Sequence, residues 1–216
     1  MTNIDKKFWK NKTIFITGIA GFVGSNLAKN LVKNGANVIG LTQSQKIDSL
    51  FFYEKIDKKV NLIFGSIIDK ELLNKIFKKY KIEICFHLAA QVEVGSALAN
   101  PFNTWETNVK GTYTLLETLR ENKKNIKSIV VASTDKVYGD YPMSKLPYKE
   151  NYELKANFPY DTSKACADMI TKSYTNKIFN LPIITTRFAN IYGPGQLNFT
   201  AIIPDVIRSC VKNKKF

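Results

Sequence analysis

Thr13-Ile-Phe-Ile-Thr-Gly-Ile-Ala-Gly-Phe-Val-Gly24 decides the fold class. Thr13 to Thr17 is a short β-rich run that ends in glycine. From Phe22 to Asn34 the apolar residues Phe22, Val23, Leu27 and Leu31 recur near helical spacing, and Gly35 stops the pattern. Between strand and helix stand Gly18, Gly21 and Gly24, each three residues from the next. A backbone that comes close to a pyrophosphate at a helix N-terminus needs this spacing. There the free N–H groups and the helix dipole favour an anion. A Cβ at these places would block the phosphate or the helix–strand contact. The stretch therefore reads as a dinucleotide-binding turn, with a simple structural turn as the alternative.

Working outward, strands and helices alternate. Val38–Leu41 and Asn61–Phe64 are the next strands, and 69–79 is an amphipathic helix carrying Leu72, Leu73, Ile76 and Phe77. Ile84–Leu88 is a fourth strand, Pro101–Asn122 a long helix, and Ile129–Ser133 a fifth strand. Tyr160–Phe179 is a further helix, and Ile183–Phe188 a sixth strand. Near-continuously apolar strands alternating with helices predict an α/β fold. The expected form is a Rossmann-type doubly wound parallel sheet with helices on both faces. The longest loop, Gly139 to Phe158, contains Pro142 and Pro147, and is expected to lie over the site.

Composition narrows the function classes. The chain has 216 residues, is 44% hydrophobic and 23% charged, which excludes a mainly disordered state. No apolar run is long enough to span a membrane, and Met1 to Lys12 has no apolar signal core. Cys85, Cys166 and Cys210 are odd in number and far apart. They read as reduced thiols of a cytoplasmic protein rather than a disulfide framework or zinc site. A single His argues against a His-based metal centre, so no metal is expected. The net charge of +14 rests on lysines scattered along the chain. Lys, Asn and Ile share A/T-rich codons and make up a third of the residues, so a nucleic-acid surface is not required. The field would still help an anionic small-molecule substrate.

Two further stretches carry chemistry. Tyr160 and Lys164 are four apart and share a helix face. A Lys cation near a phenol lowers its pKa, and a phenolate there can take a proton from a substrate hydroxyl while hydride leaves the same carbon. Ser133-Thr134-Asp135-Lys136 ends the fifth strand, where ligands of doubly wound sheets gather. Thr134 would hydrogen-bond the reacting oxygen. Asp135 is either an acid within reach of the substrate or a cap for the next turn. The second strand ends Leu41-Thr42-Gln43-Ser44, with neither acid nor Arg, so the usual clue separating NAD from NADP is missing. Thr42 is either a partner for a ribose hydroxyl or an ordinary loop residue.

In order and spacing, the glycine motif, His87-Leu-Ala-Ala90, Asn108, the Tyr160/Lys164 pair and Arg187-Phe-Ala-Asn-Ile-Tyr-Gly-Pro194 resemble the extended short-chain dehydrogenase/reductase family of NAD-dependent sugar epimerases and dehydratases. Ala89-Ala-Gln-Val92, Ser133-Thr-Asp-Lys-Val-Tyr-Gly139, Pro159 to Asp168, and Leu197-Asn-Phe199 followed by Ile203-Pro204 resemble the CDP-glucose 4,6-dehydratase-like branch. The resemblance implies a nucleotide-sugar 4,6-dehydratase that uses bound NAD, with NADP not excluded. It oxidises C4, eliminates water across C5–C6 and returns hydride to C6. A nucleotide-sugar 4-epimerase is the alternative on the same scaffold, and a non-catalytic dinucleotide or nucleic-acid binding protein is another. Small residues usually stand at the position of Asp135 in the epimerases.

The resemblance further implies that Gly18, Gly21, Phe22, Val23 and Gly24 meet the cofactor pyrophosphate region. Ile67 would lie by the adenine, Leu88, Ala89 and Ala90 by the ribose and phosphate path, and Asn108 on the cofactor side. Tyr160 and Lys164 would serve cofactor and catalysis alike. Gln91 and Val92 would border the sugar, and Asn190, Asn198 and Phe199 would contact the nucleotide-sugar diphosphate. Asp135 would protonate the departing C6 hydroxyl. Lys136, where many dehydratases have Glu, would be the C5 base if burial lowered its pKa, or else would orient the 4-keto oxygen. Family members are longer, so residues 1–195 are read as the NAD(P)-binding Rossmann domain with the catalytic residues. Residues 196–216 are read as the start of a C-terminal substrate domain that is largely missing. Helices 101–122 and 160–179 would form a homodimer interface, or their extra apolar positions would meet that missing segment.

Overall fold

The computed structural model describes residues 6–43 and 49–214. Among them, six strands form one parallel sheet: β1 (Thr13–Thr17), β2 (Asn37–Thr42), β3 (Asn61–Phe64), β4 (Ile84–His87), β5 (Ser128–Thr134) and β6 (Ile183–Phe188). Their order is β3-β2-β1-β4-β5-β6. This is the doubly wound order in which the chain reverses direction between β1 and β4, opening a crevice at their C-terminal ends. The helices are α1 (Lys6–Trp9), α2 (Phe22–Lys33), α3 (Leu50–Tyr53), α4 (Lys70–Lys79), α5 (Val94–Ala99), α6 (Pro101–Trp105), α7 (Gly111–Glu121), α8 (Pro159–Tyr174) and α9 (Ile202–Val211).

Alternation along the strands builds a core on each face. In β1, Phe15 points to the α4 and α7 side, where it meets Leu73, Phe77, Leu115 and Leu119. Ile14 and Ile16 point to the other side, with Ala28 and Leu31 of α2 and Phe51 of α3. The helix ends follow local chemistry. Gly35 at φ +80 lets α2 finish with Ala36 N–H bonding Leu31 O and Gly35 N–H bonding Val32 O. Asp69 caps α4 by accepting from Leu72 N–H at 2.9 Å. Pro101 and Pro159 occupy the first turns of α6 and α8, where a missing N–H costs nothing. At the opposite end of the sheet, Glu83 receives Lys12 at 3.1 Å, Lys127 at 2.7 Å and the Thr13 N–H at 3.2 Å. It clamps the starts of β1, β4 and β5.

Two departures from the sequence reading have physical causes. The long helix of 101–122 is divided by a wider π turn, Glu106–Lys110. Within it the buried Asn108 holds the Gln91 backbone at both ends. Helix α8 stops at Tyr174 rather than Phe179. Asn176 Oδ1 accepts from Ile178 and Phe179 N–H, and the Phe179 ring stacks on Tyr174 with centroids 5.2 Å apart. The loop 139–158 is held by aromatic and cation contacts. Tyr138 stacks on Tyr148 and Tyr141 on Tyr152, and Lys155 Nζ lies 4.3 Å from the Tyr141 ring.

Candidate active site

The turn after β1 has the shape that a pyrophosphate requires. Gly18 has φ +70, and a Cβ there would lie 2.9 Å from Ala89 Cα, so the glycine turn rests directly on the end of β4. A Cβ on Gly24 would meet Gly18 O and lie 2.8 Å from Ile19 Cα. That glycine is what allows α2 to sit close against β1. Gly21 caps α2 without any side-chain hydrogen bond, and the first turn, with Phe22 and Val23, carries no acid. The N–H groups are thus left to an anion. Leu88, Ala89 and Ala90 follow β4 across the crevice. Both Leu88 and Ala89 donate N–H bonds of 3.1 Å to Thr17 Oγ1.

On the β2 and β3 side, Thr42 ends β2 half-buried, and Gln43 Nε2 bonds Ser66 Oγ at 3.1 Å. Ser44 lies outside the described residues. Ile67 is buried in the α4–α7 core, where it packs against Gly111. Its side chain is part of the floor of this region rather than of its open surface.

Across the crevice, Thr134 ends β5, and Asp135 and Lys136 open the 3-10 turn 135–138. Thr134 Oγ1 accepts from Lys136 N–H at 3.3 Å and donates to Asp135 Oδ1 at 3.2 Å. Tyr160 and Lys164 project from the first turns of α8, both buried. The Tyr160 phenol lies within the influence of Thr134, Asp161 and Asp135. Burial pushes its pKa up, the Thr134 hydroxyl pulls it down, and the two carboxylates push it up again. The expected lowering by Lys164 does not occur in this arrangement. Lys164 Nζ turns to the strand and donates to Ala132 O at 2.5 Å. Spacing put the two side chains on one face, but the ammonium found its partner in the backbone. Burial holds the Lys164 pKa down at about 8, against the pull of Asp168. Lys136 is exposed, so the burial on which a base role would depend is absent.

Asn108 sits in the π turn, fully buried, and grips Gln91 at both ends of its backbone. Asn108 Oδ1 accepts from Gln91 N–H at 2.8 Å, and Nδ2 donates to Gln91 O at 3.0 Å and to Ser163 Oγ at 2.9 Å. Ser163 in turn donates to Tyr160 O at 2.7 Å. Among the described residues, two buried side-chain atoms find no partner: Gln91 Oε1 and Ser133 Oγ. Ser133 lies near the C-terminal end of β5 and Gln91 just beyond that of β4, where a bound polar molecule would satisfy them. Val92 next to Gln91 is exposed.

Asn190, Asn198 and Phe199 are exposed on the segment after β6. This segment returns to the glycine turn: Asn26 Nδ2 of α2 donates to Pro194 O at 3.1 Å, and Gly193 approaches the Phe22 ring. Asn198 Oδ1 is used locally, accepting from Thr200 N–H at 3.0 Å, and the Arg208 guanidinium lies 4.9 Å from the Phe199 ring. The site residues of β1, β4, β5, the π turn and α8 are therefore brought together. Those of 190–199 follow β6, which pairs with β5 up to Thr134 and Phe188, and are tied to α2 through Pro194.

Sequence reasoning missed Thr17, Ser163 and the Asp168–Arg187 pair as parts of this assembly. Arg187 binds both oxygens of the buried Asp168, at 2.8 and 3.1 Å, and also Tyr138 OH and Glu150 O. A charged residue near the end of a strand, and a second on the buried face of a helix, were the available signals. Among the described residues no group of His, Cys, Asp and Glu is arranged to hold a metal, and no helix is long and apolar enough to cross a membrane.

The family model described as GDP-mannose 4,6 dehydratase matches residues 15–215. CDP-glucose 4,6-dehydratase of Salmonella typhimurium is 35% identical over 98% of this chain and 61% of its own length. dTDP-D-glucose 4,6-dehydratase of Dictyostelium discoideum is 38% identical over 100% of this chain and 51% of its own. The chain thus spans about half to three-fifths of the curated relatives it matches. Among solved structures, dTDP-glucose 4,6-dehydratase of Bacillus anthracis in complex with NAD superposes with a TM-score of 0.79 and 32% identity, over 94% of this chain and 63% of that one. UDP-glucose 4-epimerase of Thermotoga maritima with UDP-glucose gives a TM-score of 0.83 at 27% identity, over 94% and 64%. By strand order, glycine turn and a family match running from β1 to beyond α9, the chain belongs to the GDP-mannose 4,6 dehydratase family of NAD-dependent nucleotide-sugar epimerases and dehydratases.

Proposed function

We propose that this chain carries the dinucleotide and catalytic half of a nucleotide-sugar 4,6-dehydratase acting on a CDP-glucose-like substrate. The observation that carries the reading is Asp135. It stands beside Thr134 and within electrostatic reach of Tyr160, at the C-terminal end of β5. A 4-epimerase, which makes and breaks no C–O bond, has no use for an acid there. The CDP-glucose assignment is supported by Lys136, where many dehydratases have Glu, and by the 35% identity to the Salmonella enzyme over 98% of this chain.

NAD is the cofactor that the crevice suits, by its glycine cradle, its uncapped α2 N-terminus and the orphaned Ser133 and Gln91 atoms. When bound, it supplies the acceptor and later the donor of hydride. Gly18, Gly21, Phe22, Val23 and Gly24 would hold its pyrophosphate, with Leu88, Ala89 and Ala90 along the ribose path and Thr42 by the adenosine. Tyr160 would take the proton of the sugar C4 hydroxyl, with Thr134 bonding the same oxygen. The 4-ketone acidifies the C5 proton. Asp135, as a carboxylate, would take the C5 proton and pass it to the C6 hydroxyl, which departs as water. The exposed Lys136 ammonium suits the role of holding the 4-keto oxygen as negative charge collects there. Gln91 and Val92 would border the sugar, and Asn190, Asn198 and Phe199 the diphosphate side.

Residues 1–195 would form the dinucleotide unit and 196–216 the opening of the substrate side. A second copy of the chain would pack on α6, α7 and α8, where Phe102 is 72% exposed and Met169 65% exposed. Sedimentation of the wild type against Met169→Glu tests that interface. The protein would work in the cytoplasm.

The deciding experiment incubates the protein with NAD and, separately, CDP-glucose, GDP-mannose, UDP-glucose and dTDP-glucose, and follows each sugar nucleotide by mass spectrometry. Loss of one water from CDP-glucose, abolished by Asp135→Asn, is the expected result. An unchanged mass with inverted C4 stereochemistry by NMR would establish the epimerase instead.

A further inference from the structure

The only histidine of the chain is buried at the end of β4, and both ring nitrogens are engaged. His87 Nδ1 lies 2.8 Å from Thr17 Oγ1, and Nε2 lies 3.0 Å from Thr112 Oγ1. The neighbouring bonds fix where the protons are. Thr17 Oγ1 already accepts the N–H groups of Leu88 and Ala89, so its own proton goes to Nδ1. Thr112 donates its proton to Asn108 O at 2.6 Å, so its oxygen accepts from Nε2. The ring is therefore the Nε2–H tautomer. Burial and the nearby Lys164 charge hold its pKa down at about 3, which keeps it neutral.

The imidazole thus joins two arms. One runs through Thr17 to the N–H groups of Leu88 and Ala89 on the cofactor side. The other runs through Thr112 to Asn108, and from there to Gln91 and, by way of Ser163, to Tyr160. We propose that His87 is a positioning residue: its neutral Nε2–H ring locks the cofactor-side turn 88–90 to the π turn, and so sets the distance between bound dinucleotide and the Tyr160 hydroxyl. The reading of the crevice as an NAD and Tyr160 site underlies this role.

The two arms separate by mutation. Asn at position 87 retains an oxygen acceptor near Nδ1 and loses the donor to Thr112. Gln retains an N–H donor near Nε2 and loses the acceptor for Thr17. Amide hydrogen exchange by NMR reads each arm without turnover. Ala89 N–H reports the Thr17 arm and Gln91 N–H the Asn108 arm. In His87→Asn, Gln91 should exchange about tenfold faster, with Ala89 unchanged. In His87→Gln the pattern should reverse. NAD affinity, by calorimetry, should fall about tenfold in His87→Gln and stay within about twofold in His87→Asn. Nitrogen NMR of the wild type, with one imidazole to observe, should show the Nε2–H form throughout the neutral range.

The inference is overturned by an Nδ1–H ring, by both amides moving together in both variants, or by neither moving. Absence of water loss from any sugar nucleotide would refute the dehydratase reading and leave these exchange and binding results to decide the role of His87 by themselves.

Discussion

Changing Gly24 to Ala adds one methyl group at a place where only backbone surrounds it. The new Cβ would meet Gly18 O and stand 2.8 Å from Ile19 Cα and 2.9 Å from Ile19 O. None of these is a flexible side-chain end, so α2 must lift from β1. Overpacking of this kind costs about 1–3 kcal/mol, and contact with rigid backbone puts this case at about 3. A chain of this size unfolds with an entropy of about 0.45 kcal/mol per degree, so the melting temperature should drop by about 7 °C. Gly95→Ala is the control. It makes the same chemical change in α5, at a site where nothing lies within 4 Å of the new Cβ. There the methyl group only restricts the unfolded chain, and melting should rise by about 1–2 °C, from about 0.5–1 kcal/mol. Calorimetric scans of the three proteins give the comparison, and titration with NAD gives a second one. Gly24→Ala should lose NAD binding because the lifted helix carries its N–H groups away from the turn. If Gly24→Ala melts within a degree of wild type, the close α2–β1 approach is not what this glycine provides.

Glu83, held down at about 2 from the usual 4.5 first by its bond to Lys127 against the opposing effect of burial, then by Lys12 and the Thr13 N–H, stabilises the fold only while ionised. Its lowered pKa means that the contribution is present above about pH 4.5 and is lost as pH falls towards 2, amounting to about 1–2 kcal/mol after allowance for solvent screening. Urea melts at pH 6 and pH 3 should show that loss in the wild type and not in Glu83→Gln. Lys164 is the opposite case: a pKa depressed to about 8 marks a charge that the fold disfavours at neutral pH, with relief beginning as pH rises through 8. Lys164→Met should therefore gain about 1–2 kcal/mol at pH 7, a gain that shrinks by pH 10, while turnover is lost. Asp168→Asn leaves the Arg187 guanidinium without its buried carboxylate and should cost about 3–5 kcal/mol. Because Arg187 also holds Tyr138 OH and Glu150 O, limited proteolysis should then cut within 139–158.

The central strands could be read from the sequence because they are short apolar runs that the sheet buries on both faces. The glycine turn was readable because the requirement it meets is steric and local. Direction within a shared face was not. Tyr160 and Lys164 stand one helical turn apart as expected, yet the ammonium donates to Ala132 O on β5. Helical spacing fixes where a side chain starts, and the neighbouring element decides where a long flexible one ends. The same limit hid the Arg187–Asp168 pair, whose members approach only once α8 is laid against β6.

The hydrogen bonds that hold the crevice together lie further still from any local pattern. Thr17 meets His87, Leu88 and Ala89 across separations of 70 to 72 residues, and Asn108 meets Ser163 across 55. Each participant taken alone is an ordinary residue: a threonine ending a strand, a serine inside a helix, an asparagine in an apolar helical run. What makes Asn108 unusual is the π turn that carries it, and such turns gather at functional sites because they change the direction of one buried residue while leaving the helix otherwise intact. In an unbroken α-helix, Thr112 and Asn108 would keep the same spacing, but Asn108 would not be free to grip both ends of the Gln91 peptide. The widened turn and the polar chain through His87 therefore stand or fall together. Removing the extra residue from 106–110 should disrupt the Asn108–Gln91 bonds while leaving the sheet intact.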